Sequence, residues 1–140
     1  MEPARILYPM VALAGLTFVV LLLIPYARFR AAARGQVKAR DFRYGESSNV
    51  PGEVSLPNRN LMNLLELPVL FYVACLAFYV TRTADALAVY FAWAYVALRV
   101  AHSAIHLSYN NVFHRLSAFA ASNVVLVVLW VRWAVAISAS

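Results

Sequence analysis

The sequence predicts an all-α integral membrane protein, a bundle of four spanning helices. Three observations carry that reading. The 140 residues are 64% hydrophobic with a mean hydropathy of +0.70, far above a soluble composition. Four segments, at about 6–27, 59–80, 84–107 and 115–137, reach the roughly 20 apolar residues that a spanning helix needs. The last three are joined by short connections, so the only substantial polar stretch is 28–58. By length the chain is one domain, residues 1–140.

The first apolar run is preceded only by Arg5 and followed by Arg28, Arg30 and Arg34, the reverse of a cleaved leader, so it reads as a retained helix with a stop-transfer cluster. Pro25 is expected to kink its exit from the bilayer, and residues 29–38, with Ala31, Ala32 and Ala33, to continue it beyond. Gly45, Pro51, Gly52 and Pro57 mark 45–57 as loop. Asn58 then caps the second helix, and Pro68 bends it near Glu66. Residues 81–85 form a tight turn with Asp85 at the start of the third helix, and Asn110 and Asn111 are natural turn formers before the fourth.

Charge sets the orientation. Arg28, Arg30, Arg34, Lys38, Arg40, Arg43 and Arg59, seven of the twelve basic residues, lie in or beside the first loop. The positive-inside rule places 28–58 in the cytoplasm and both termini outside. The net charge of +6 and pI near 9.9 could point to nucleic acid, but juxtamembrane charges are explained more simply as topology signals near anionic headgroups. The lone Cys75, inside an apolar helix, reads as packing.

Two polar rows interrupt the apolar helices. Arg59, Asn63 and Glu66 stand at spacings of four and three, on one face of the second helix. Arg99, His102 and His106 do the same on the third, with Ser103 beside them and Tyr109 near the end of that face. A charge in the bilayer costs roughly 2.5–3.5 kcal/mol on insertion scales, so such groups face a bundle interior, and Glu66 is expected to pair with Arg99. The rows could simply hold helices together. His102 and His106 could ligate a metal with Glu66, but the arginines would repel a cation and no metalloprotease motif is present, so no metal site is assigned. Hydrolase and nucleotide-binding motifs are likewise missing from the sequence. Guanidinium groups grip carboxylates bidentately and a buried carboxylate accepts an ammonium, so the set suits a small ligand bearing both kinds of charge.

The stretches Arg59-Asn-Leu-Met-Asn63-Leu-Leu-Glu66-Leu-Pro68 and Trp93-Ala-Tyr-Val-Ala-Leu-Arg99-Val-Ala-His102-Ser-Ala-Ile-His106, with Arg115 opening the fourth helix, resemble the MAPEG family of membrane-associated proteins in eicosanoid and glutathione metabolism, nearest to its bacterial branch. The resemblance implies a homotrimer in a bacterial inner membrane, with glutathione as co-substrate between subunits near the cytoplasmic face. It implies glutathione contacts from Arg59, Asn63 and Glu66, assisted by Arg28 or Arg30. Arg99 and His102 would line or brace the site, with His106 and Tyr109 nearby. Arg115 would sit by the thiol and favour the thiolate. His106 stands where eicosanoid-pathway members tend to have tyrosine, and Leu116 and Phe119 occupy the stretch where some members carry a hydroxyl. The implied activity is a glutathione-dependent transferase conjugating, or reducing, a lipophilic electrophile that arrives through the bilayer. The alternative is a non-catalytic membrane protein whose polar rows serve assembly.

Overall fold

The computed structural model describes residues 3–139. After a short 3-10 turn at Pro3–Ile6 come helices α1 (Leu7–Ala33), α2 (Gly52–Leu65), α3 (Pro68–Val80), α4 (Ala86–Leu107) and α5 (Val112–Ser138), with a second 3-10 turn at Ala39–Phe42 between α1 and α2. They build four segments long and apolar enough to cross a membrane, Ala4–Ala33, Gly52–Val80, Ala86–Leu107 and Val112–Ser138. The protein is therefore an all-helical integral membrane protein, its second span made of two helices.

Helix α1 has 27 residues and runs through Pro25 without a break. At 1.5 Å per residue it is about 40 Å long, against a hydrocarbon core of about 30 Å. Its last turns therefore project beyond the apolar slab, though only as far as Ala33. Gly35 takes a left-handed φ of +70°, its N–H donates to the Ala32 carbonyl (2.9 Å), and the Gln36 N–H donates to that of Ala31 (3.0 Å). This Schellman arrangement satisfies two terminal carbonyls and turns the chain back.

Two expectations about the second span are corrected. It begins at Gly52, with Pro51 rather than Asn58 at its N-cap. Val50 and Val54 bury against Ala31 and Val37, with Phe42 packed alongside, so this small apolar cluster holds 52–57 helical despite Pro57. The bend near Glu66 is in fact a break. Glu66 leaves helical geometry (φ −86°, ψ −110°), and Pro68, which has no N–H to donate, opens α3. The chain restarts with short-range bonds from the Val69 N–H to the Glu66 carbonyl (3.1 Å) and from the Leu70 N–H to that of Leu67 (2.9 Å).

The other junctions follow their turn chemistry. Asp85 accepts the Ala88 N–H (2.8 Å) to cap α4, and Asn111 accepts the His114 N–H (3.1 Å) to cap α5. Arg132 of α5 pairs with Asp85, and the Trp133 indole donates to the Thr81 hydroxyl (3.3 Å), tying α5 to the α3–α4 turn. Ile6, Leu13 and Val20 meet Phe71, Cys75 and Phe78 of α3, Ala92 and Tyr95 of α4, and Leu126 and Leu129 of α5 in one core. Phe71 stacks on Tyr95, with ring centroids 4.5 Å apart. Outward faces carry exposed Val11, Phe18, Leu22, Val124 and Val131, which lipid tails solvate.

Candidate functional site

Near the end of the bundle that carries the basic loop, α2 is pinned to α4 by two hydrogen bonds. The Arg99 guanidinium donates through Nη2 to the Asn63 carbonyl (2.8 Å), and the Ser103 hydroxyl donates to Asn60 Oδ1 (3.2 Å). The first has a local cause. In an unbroken helix the Asn63 carbonyl would accept the N–H four residues on, but the helix stops at Leu65 and leaves that carbonyl to a side chain. Arg99 is fully buried, so α4 delivers a guanidinium to the spot where α2 loses its backbone partner.

Beside this junction lies a cleft of about 460 Å³. From α2 and the break come Arg59, Met62, Asn63 and Glu66; from α4, His102 and His106; from α5, Val112, Arg115, Leu116 and Phe119. Arg59 and Glu66 are exposed in the single chain, whereas His102 and His106 are buried in the cleft wall. Arg115 is aimed by the α4–α5 turn: its Nη1 donates to Asn110 Oδ1 (2.7 Å), and Asn110 adopts a left-handed φ of +48°. Asn63 is steadied by its own helix, its Nδ2 donating to the Arg59 carbonyl (3.0 Å). The His102 and His106 rings meet edge to face at 5.7 Å, and Phe119 lies 5.8 Å below the Arg99 guanidinium and 5.9 Å from His102. The cleft thus offers two guanidinium groups, one carboxylate, an amide and two imidazoles beside an apolar wall.

Six of the ten residues singled out in the sequence, Arg59, Asn63, Glu66, His102, His106 and Arg115, line this one cleft. Arg99 sits behind it. The expected Glu66–Arg99 ion pair does not form: among the described residues the ion pairs are Arg28–Glu46 and Arg132–Asp85. The break releases Glu66 from the α2 face and leaves Arg99 to the Asn63 carbonyl. Within the chain, Arg28, Arg30 and Tyr109 lie outside the cleft. Arg28 pairs with Glu46 (3.1 Å) and covers the Phe42 ring. Arg30 lines a separate groove with Arg34 and Glu53, and the Tyr109 hydroxyl meets His114 Nδ1 (3.0 Å).

Several polar atoms at this junction are buried without a partner: Asn60 Nδ2, Arg99 Nε and Nη1, His102 Nδ1, His106 Nδ1 and the Tyr95 hydroxyl. Burying such groups costs free energy, and they concentrate where a structure serves something other than stability. Asn60 was not legible as part of the site, because it lies off the face shared by Arg59, Asn63 and Glu66. Met62, Val112, Leu116 and Phe119 were equally silent as lining residues, since apolar residues in a membrane helix carry no signal of their own. Among the described residues no three His, Cys, Asp or Glu side chains gather as a metal cluster would require.

A family model described as the MAPEG family matches residues 6–135. No curated protein and no solved structure matches the chain. Four membrane-crossing segments, a polar cleft whose lining falls wholly within that match, and the match over nearly the whole chain lead to one conclusion: the protein belongs to the MAPEG family.

Proposed function

We propose that the protein is a glutathione-dependent membrane transferase that conjugates, or reduces, a lipophilic electrophile. The observation that carries this reading is the convergence of Arg59, Glu66 and Arg115 from three parts of the chain on one cleft. Glutathione has two carboxylates, an ammonium and a thiol. Arg59 grips a carboxylate, Asn63 holds the peptide, and Glu66 accepts the ammonium. Arg115, held by Asn110, faces the sulfur and stabilises the thiolate. The thiol proton passes to solvent, and the thiolate attacks the electrophilic carbon, forming a carbon–sulfur bond as the leaving group departs with its electron pair. His102 and His106 shape the wall, Arg99 braces it, and Met62, Leu116 and Phe119 supply the apolar side for the electrophile.

The active form in this reading is a homotrimer of single-domain chains, with 28–58 cytoplasmic and both termini outside. Arg28 and Arg30 are two residues apart, on opposite sides of α1, so one ligand cannot use both. Arg28 is engaged within its own chain, which leaves Arg30 to close the cleft of a neighbouring subunit. Tyr109 contributes through the turn that carries Asn110.

Glutathione titration of detergent-solubilised protein tests the proposal. Binding should saturate, and Glu66→Gln or Arg59→Ala should weaken it roughly tenfold or more, as expected for a hydrogen bond to a charged group. The oligomer should keep its size. No binding at millimolar glutathione overturns the reading. The two bonds that pin α2 to α4 favour a second reading, a non-catalytic protein whose polar rows serve assembly. It requires conjugation of a chromogenic electrophile to stay at background while Arg99→Leu breaks the assembly.

A further inference from the structure

A second cavity, of about 480 Å³, lies on the other side of α1, where the chain folds back after Gly35. One wall is the end of α1, with Ile24, Pro25, Phe29 and Ala32; the other is the returning segment, with Val37 and Phe42. Its only charged lining residues are Arg28 and Lys38. Its size is within the range of small-ligand pockets, about 300–1,000 Å³.

Depth decides what fits it. The apolar run 6–27 spans about 33 Å at 1.5 Å per residue, close to the hydrocarbon thickness of about 30 Å. Ile24 and Pro25 therefore lie at the depth of acyl chains, and Arg28 and Lys38 at the depth of lipid phosphates. The slot's own surface is almost wholly apolar, and charge enters only at its rim, where Arg28 and Lys38 stand. The rim also selects a headgroup. Glu46 is taken by Arg28, and Asp41 accepts the Lys38 backbone N–H (2.8 Å) and the Ser47 hydroxyl (3.3 Å). Both rim carboxylates thus already have partners within the chain, whereas the exposed Lys38 ammonium has no ion-pair partner among the described residues.

We propose that this slot binds one anionic phospholipid, its acyl chain against Ile24, Pro25 and Phe29 and its phosphate at the Lys38 ammonium, beside the Arg28–Glu46 pair. The site is separate from the polar cleft and does not depend on glutathione chemistry. The test reconstitutes the full chain in nanodiscs of equal phosphatidylglycerol and phosphatidylcholine, extracts it into mild detergent and counts retained lipid by native mass spectrometry. Wild type should retain one phosphatidylglycerol per chain in preference to phosphatidylcholine. Lys38→Glu, which reverses the rim charge, and Ala32→Trp, which fills the slot from an exposed position, should each lower retention at least fivefold. Arg40→Glu makes the same charge change outside the slot and should leave retention as in wild type. Circular dichroism and a single elution peak confirm that each variant is folded. Equal retention of both lipids overturns the proposal, as does full retention in Ala32→Trp or an equal loss in Arg40→Glu. A changed oligomer mass in Ala32→Trp without lipid loss would assign the slot to a second copy of the chain and also overturn it.

Discussion

An arginine that is fully buried with two of its nitrogens unpaired is a costly residue, and Arg99 has one hydrogen bond in return, to the carbonyl that the α2 break leaves open. Losing that charge-assisted bond and leaving the Asn63 carbonyl unpaired costs about 1.5–3 kcal/mol, which removing the unpaired buried donors offsets. Arg99→Met should therefore leave thermal stability in detergent nearly unchanged while loosening the end of α2 and weakening glutathione binding. A collapse of Tm would instead make Arg99 a structural element. Arg115→Lys keeps the charge but loses the planar fork that Asn110 holds. Turnover should fall at least tenfold with a smaller change in KM, measured by steady-state conjugation, because the thiolate matters most in the transition state. Helical spacing was enough to place Arg59 with Asn63 and His102 with His106. It could not choose the partner of Arg99, because that depends on a carbonyl freed by a backbone break.

At the scale of elements, the α2–α3 break is the main device. Pro68→Ala restores an N–H and lets one helix run from Gly52 to Val80. Helicity by circular dichroism should rise and Tm hold or increase, while glutathione affinity falls as Glu66 rotates back onto the helix face. Unchanged affinity would separate the break from ligand binding. At the opposite end, Asp85 both caps α4 and pairs with Arg132. Losing the cap costs roughly 0.5–2 kcal/mol and losing an exposed ion pair about 0.2–1 kcal/mol. Asp85→Ala should therefore lower Tm more than Arg132→Ala. Local chemistry announced Asp85 at the start of α4 and the turn at Asn110. It misplaced the start of α2, because Gly52 and Pro57 look like loop until Val50 and Val54 find Ala31 and Val37.

For the molecule as a whole, the apolar outer faces and a cleft open on one side fit a bilayer and, in our proposal, a neighbouring subunit. If Arg30 of one chain completes the cleft of the next, mixed oligomers will reveal it. Arg30→Ala and Arg59→Ala chains, each weak alone, should regain conjugation when co-expressed, since some sites then hold both arginines. Activity no higher than the average of the two single variants would place Arg30 outside the site. Membrane class, the number of spans and the two polar rows were legible because each arises from composition or from a repeat of a few residues.

Sequence by itself determined that four apolar segments span a bilayer and that two of them carry polar faces, since hydropathy and helical period are local properties. Tertiary structure alone decided that Glu66 sits in a break rather than on a helix, that Arg99 serves Asn63 instead of Glu66, and that Arg28 folds onto Glu46 and Phe42. Each of these depends on which distant groups burial brings together and on where a lost backbone hydrogen bond finds its replacement.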